Sequence, residues 1–113
     1  CNSSSMLLSL ITIYPFPENE CKVIEVLDSI QALIATNVDC LGCFFIAGTG
    51  AGASICYMER WRSREALDRH LRSHLYCRVL EAMELSCKPP TVEFYEMKGI
   101  GGLDVITGVR LQQ

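Results

Sequence analysis

Apolar and polar positions along the chain follow two rhythms, one of period two and one of period three to four, and the changes between them divide it into elements. Residues 6–14 are rich in Leu and Ile with Ser and Thr between them, and Pro15-Phe16-Pro17 forbids further ladder pairing, so a first strand is predicted there. From Glu18 the rhythm changes. Val23, Leu27, Ile30 and Ile34 recur at three- and four-residue steps with Glu18, Glu20, Glu25 and Asp28 on other faces, which predicts a helix of about four to five turns capped by Asn37. Residues 40–47 and 54–62 alternate again as strands, and the glycines at 48, 50 and 52 between them fit a hairpin tip. They open no helix and bring no lysine, so they do not form a phosphate cradle.

Tyr57, Glu59 and Trp61 project from one face of the third strand, whereas Leu67, Leu71 and Leu75 recur every fourth residue as on a helix. Ser63 stands between as the natural N-cap, with Glu65 in the first turn at the positive helix end. The apolar line runs on through Val79 and Met83, which predicts one interrupted helix or two short ones over 63–87, with Ser73 as a second cap. Lys88-Pro89-Pro90 stops helical structure, and residues 91–97 alternate Val92 and Phe94 with polar neighbours as a fourth strand. The order strand, helix, strand, strand, helix, strand is the split βαβ arrangement of a ferredoxin-like α+β domain. Its antiparallel four-stranded sheet carries the helices on one face.

These strands are apolar on both faces: Leu7 beside Leu8, Phe44 beside Phe45, Phe94 beside Tyr95. The face without helices therefore needs a partner, and a homodimer with sheets packed face to face, a dimeric α+β barrel, would supply it. The tail 99–113 carries Leu103, Val105, Ile106, Val109 and Leu111 after a glycine-rich hinge, and is expected as a further strand lying on that partner. One domain, residues 6–98, thus lies between a polar, disordered lead of residues 1–5 and a C-terminal extension.

Composition narrows the function. The 113 residues suffice for one modest core, the net charge is only −3, and no run of like charges offers a nucleic-acid or membrane surface. The longest early apolar stretch, 6–13, is interrupted by Ser9 and Thr12 and falls short of the roughly 20 residues of a membrane span. Seven scattered cysteines, an odd count, argue against a secreted disulfide framework and favour a reducing cytoplasm. Cys40-Leu41-Gly42-Cys43 is the only C-x-x-C; it sits in a strand without a second pair at zinc-ribbon spacing, so its thiols read as small buried hydrophobes. Cys1 before a polar spacer admits a second reading of the lead, a processed lipoprotein anchored through Cys1.

Glu59-x-Trp61-x-Ser63-x-Glu65-Ala66-Leu67-x-x-His70-Leu71-x-Ser73-His74, together with the order of elements, resembles the antibiotic-biosynthesis monooxygenase family of dimeric α+β barrels. The resemblance covers residues 6–97 and implies a small-molecule enzyme, with oxygenases, isomerases and haem-degrading enzymes among the family's members. Trp61 matches the tryptophan that lines the pocket in its cofactor-free quinol-type monooxygenases. Those enzymes pair it with an asparagine four residues earlier and a tyrosine six later, where this chain has Tyr57 and Leu67. The haem-degrading branch places its coordinating His about where Leu80 stands, so no cofactor is implied.

Cofactor-free oxygenation requires an electron-rich phenol held away from water, a base to form its anion, and a pocket that stabilises negative charge. His70 and His74 are the candidate bases and Trp61 the apolar wall; Tyr57, Glu59, Tyr14 and Tyr76 are candidates for the substrate pocket. The two histidines, four apart, would share a face of a continuous helix, but with no third ligand beyond Glu59 no metal is assigned. Arg60, Arg62, Arg64, Arg69 and Arg72 form a solvated rim. Two readings stay open: an enzyme acting on a small aromatic or quinol-like ligand, and a non-catalytic dimeric binding domain in which His70 merely bonds Glu59 and fixes helix to sheet.

Overall fold

The computed structural model describes residues 5–48 and 52–112. Strands β1 (Ser5–Ile13), β2 (Cys40–Ala47), β3 (Ile55–Trp61) and β4 (Thr91–Lys98) form one antiparallel sheet in the order β2-β3-β1-β4, with α1 (Glu20–Ile34), α2 (Arg64–Leu71) and α3 (Tyr76–Glu84) in the connections. This is the ferredoxin-like α+β fold that the order of patterns predicts.

The helices cover one face through the predicted residues: Val23, Leu27, Ile30 and Ile34 of α1, Ala66, Leu67 and His70 of α2, and Tyr76, Val79 and Ala82 of α3 are buried. Ile11, Ile13, Ile55, Tyr57 and Trp61 meet them from the sheet. Each large apolar side chain so buried contributes about 1.5–3 kcal/mol, so a dozen of them decide the packing and the surface charges do not. Gln31 Nε2 donates to the Cys43 carbonyl at 2.7 Å and ties α1 to β2. Asn37 does not cap α1, which ends at Ile34; its side chain accepts from the Asp39 amide at 3.0 Å and shapes the turn beyond.

Residue Leu41 is an extra residue in β2: Cys40 pairs with Trp61 and Gly42 with Arg60, so the ladder bulges between them. Beyond the bulge Cys43 and Phe45 share the helix side, whereas Phe44 and Ile46 face away. The face away from the helices also carries Leu8, Leu10, Met58 and Tyr95, and no segment of the described residues covers it.

Two expectations change. The strand β1 starts at Ser5, which pairs with Lys98, so Ser5 belongs to the sheet; Cys1 and the rest of the lead lie outside the described residues, as do positions 49–51 of the hairpin tip. The tail is a helix, α4 (Leu103–Arg110), and not a strand. Leu103, Ile106 and Val109 recur every third residue, and Asp104 Oδ1 accepts from the Gly102 amide at 2.9 Å as the helix begins. No residue of α4 is buried.

Candidate active site

The strand β3 alternates Tyr57, Glu59 and Trp61 onto the helix side, and Ser63 turns the chain into α2 by accepting from the Ala66 amide at 3.2 Å. About two turns beyond Ser63 the helix sets His70 over Glu59. The carboxylate is fully buried and collects three donors: Tyr57 Oη at 2.5 Å and His70 Nε2 at 3.0 Å on Oε2, and Trp61 Nε1 at 3.0 Å on Oε1. Cys43 Sγ lies 3.4 Å from Tyr57 Oη and donates to it. A charge-assisted hydrogen bond is worth about 1.5–3 kcal/mol, so three of them offset the several kcal/mol that desolvating a carboxylate costs.

Because Glu59 Oε2 already accepts the Tyr57 proton, the Nε2 of His70 is its second donor and carries hydrogen. In the neutral ring the lone pair is then on Nδ1, an atom that makes no hydrogen bond among the described residues. The ring stacks on Trp61 at 4.6 Å between centroids and meets the edge of Tyr76 at 5.2 Å. Burial, and after it the Glu59 charge, pushes Tyr76 up to about 12 and Tyr57 far above the ordinary phenol range, so both stay protonated.

Of the predicted site residues, Tyr57, Glu59, Trp61, His70 and Tyr76 come together and two do not. His74 is exposed in the turn after α2, because the helix ends at Leu71, so it shares no helix face with His70. Tyr14 follows Ile13, which pairs with Ile55, whereas Glu59 pairs with Ser9; about 17 Å of strand separates Tyr14 from the carboxylate at the centre of the cluster. There its ring carries the Lys88 ammonium 4.4 Å away.

Two residues of the neighbourhood escape sequence reasoning. Cys43 joins the network because the bulge in β2 brings it opposite Glu59. Ser9, 1% exposed and opposite Glu59 on β1, keeps its hydroxyl without a partner among the described residues; an alternation of Leu and Ile gives no sign of it. The C-x-x-C thiols of Cys40 and Cys43 share the helix side of the sheet, and burial pushes both up, which keeps them protonated and unreactive.

Trp61, expected as the apolar wall, is wholly buried behind the His70 ring and lines neither of two cavities that residues of α2 border. One cleft of about 370 Å³ lies between the end of α1 and α2; its lining is mixed, with Leu33, Ile34, Ala66 and Leu75 apolar, Thr36, Asn37, His70 and Ser73 polar, and Arg69 and Asp39 paired 3.2 Å apart. A smaller apolar cavity of about 200 Å³ lies between α2 and the β1–β4 pair, lined by Leu7, Arg64, Leu67, Leu71 and Phe94. A further concavity of about 580 Å³ beside Leu80, Met83 and Pro89 is lined by none of the clustered residues.

Comparison with known proteins agrees with this architecture. Rv0793 of Mycobacterium tuberculosis superposes with a TM-score of 0.74 at 21% identity, over 86% of this chain and 99% of its own. A Bacteroides thetaiotaomicron protein of unknown function, named as a possible oxidoreductase, gives 0.71 at 18% over 85% and 100%. A Deinococcus radiodurans protein named as a candidate antibiotic biosynthesis monooxygenase gives 0.73 at 15% over 85% and 96%. Identities this low establish shared fold alone. No curated protein matches the chain. The family model described as antibiotic biosynthesis monooxygenase matches residues 6–82, from β1 through α3 and across the whole cluster around Glu59, and the chain belongs to that family.

Proposed function

We propose that the chain is a small-molecule enzyme of monooxygenase type, working without a cofactor on an aromatic or quinol-like substrate, with His70 as general base and Glu59 as the residue that positions it. The observation that carries this reading is the 3.0 Å contact between Glu59 Oε2 and His70 Nε2, with the ring stacked on Trp61 and bordering the 370 Å³ cleft. A buried carboxylate that fixes one ring nitrogen presents the other as a base, the logic of carboxylate–histidine pairs in hydrolases. The Nδ1 atom takes the phenolic proton, and the electron-rich anion is the species that reacts with oxygen. A phenol with an oxidisable ring CH takes up one O₂ and leaves as a quinone and one water. The apolar part of the cleft lining excludes bulk water from the anion.

A second reading rests on a different observation. The Nε1 of Trp61 is committed to Glu59, and Tyr57 and Leu67 occupy the positions where cofactor-free relatives carry an asparagine and a tyrosine. A dimeric binding domain that holds the same ligand without turning it over would keep the cleft and need no base. Oxygen uptake with a panel of hydroquinones and naphthols separates the two. The wild type is expected to consume oxygen, His70→Ala to lose at least about a hundredfold in rate, and Glu59→Gln to move the pH profile of turnover. Absence of uptake across the panel, with ligand binding retained, would leave the binding reading standing.

In either reading the chain works as a homodimer in the cytoplasm, its helix-free sheet face covered by a second copy and its C-terminal extension packed on the partner. The apolar side chains of that face, with Phe44 39%, Ile46 67% and Tyr95 46% exposed, support this assembly. Among the described residues no helix is long and apolar enough to cross a membrane.

A further inference from the structure

We infer that the two sheets of the homodimer are set in register by reciprocal ion pairs, Arg60 of each copy against Glu93 of the partner subunit. The inference rests on the dimer proposed above and names the contacts that fix its geometry. Arg60 and Glu93 are the two charged side chains that the strands place on the helix-free face among the described residues, one on β3 and one on β4. All their neighbours on that face are apolar or uncharged: Met6, Leu8, Leu10, Met58, Phe44, Tyr95 and Met97 among them.

Arg60 is held flat against the sheet. Its Nη1 lies 3.9 Å from where a Cβ of Gly42 would stand, with Phe44 Cε1 at 3.7 Å from the same point, so the guanidinium passes beside Gly42 and Phe44 on the neighbouring strand. Its Nε is out of contact with solvent and has no acceptor among the described residues. A guanidinium donor withdrawn from water calls for an anionic acceptor. Glu93 is exposed, sits beside the Tyr95 hydroxyl and raises its affinity for its proton, and forms no ion pair among the described residues.

Within one copy the two cannot meet. Arg60 shares a row with Leu8 and Tyr95, and Glu93 a row with Leu10 and Met58, so two strand spacings and two residues separate them, about 12 Å. The midpoint falls on β1 between Leu8 and Leu10, on an inner strand of the sheet. A two-fold axis lying between the sheets, perpendicular to the Arg60–Glu93 line at that midpoint, sets each Arg60 opposite the other copy's Glu93 and forms both pairs at once. The same axis centres the apolar contact on β1, one of the two inner strands. An axis displaced so that each Arg60 faces its own symmetry mate would set like charges together, which costs several kcal/mol and rejects that register.

The test is a charge swap read by sedimentation equilibrium of the full chain. Arg60→Glu and Glu93→Arg are each expected to weaken the dimer by at least about tenfold, and the double variant R60E/E93R to return to within about threefold of wild type. Glu93 is exposed, so Glu93→Arg reads the interface even where Arg60→Glu disturbs the sheet. A wild-type dimer whose constant is indifferent to both single changes, or a double variant no tighter than the singles, overturns the pairing and leaves the dimer intact. A wild type that stays monomeric overturns both.

Discussion

At the scale of single residues the site is a question of where protons rest. Tyr57, Glu59, Trp61 and His70 were legible in the sequence because a strand alternation and a capped helix place them without knowledge of strand pairing. Ser9 and Cys43 were not, since only the register of β1 and β2 against β3 puts them beside Glu59. Cys43 gives this cluster a measurable pH dependence. Burial pushes its thiol from the ordinary 9.0 up to about 11, against a hydrogen bond to Tyr57 that lowers it. Between those values the unfolded chain has lost the proton and the folded chain keeps it, so the folded state binds more protons and stability falls as pH rises. Urea midpoints should therefore decline from pH 9.0, with Tyr57 and Tyr76 steepening the fall above 10.0, and Cys43→Ala should lessen the part of the decline that begins at 9.0. An unchanged slope in that variant would assign the pH dependence elsewhere.

Among the elements, α2 does most to join fold and site. Its start is fixed by Ser63 and its end by the turn at Arg72 and Ser73, where the Ser73 hydroxyl donates to the His70 carbonyl at 2.6 Å and receives the Tyr76 amide at 3.3 Å. Ser63 was readable as a cap, whereas Ser73, expected as the second cap, sits in the turn and Leu75 holds the N-cap position of α3; the distance that the turn opens between His70 and His74 was not legible, because spacing alone does not say whether a helix continues. Replacing Ser63 by Ala removes the acceptor of the Ala66 amide and should cost about 1 kcal/mol, measured as a drop in urea midpoint at unchanged slope. The tail misled for a similar reason: Leu103, Val105, Val109 and Leu111 alternate well enough for a strand, but helix spacing through Ile106 prevails once Asp104 anchors the first turn.

For the whole molecule the sheet presents two apolar faces and its own helices cover one. The order of elements made that legible before any coordinates, while the partner that covers the other face lies beyond what one chain displays. Helix α4 belongs to the same problem, with Leu103, Ile106, Val109 and Leu111 exposed by 76%, 57%, 64% and 79%. Ending the chain after Gly102 removes nothing buried, so unfolding free energy at dilution that favours the monomer should change by less than about 0.5 kcal/mol while the dimer weakens. Light scattering on the shortened chain checks this, and an undiminished dimer would free α4 from the interface. The bulge at Leu41 sets which face is which. It acts on β2 as a frameshift acts on a message: every residue after it is read one step out of phase with the residues before. Straightening the ladder with Leu41 retained would send Phe44 and Ile46 toward the helices and expel Cys43 and Phe45, whereas deleting Leu41 outright would leave both faces as they are. A single supernumerary residue thus decides which half of the strand belongs to the buried carboxylate and which half is offered to another molecule.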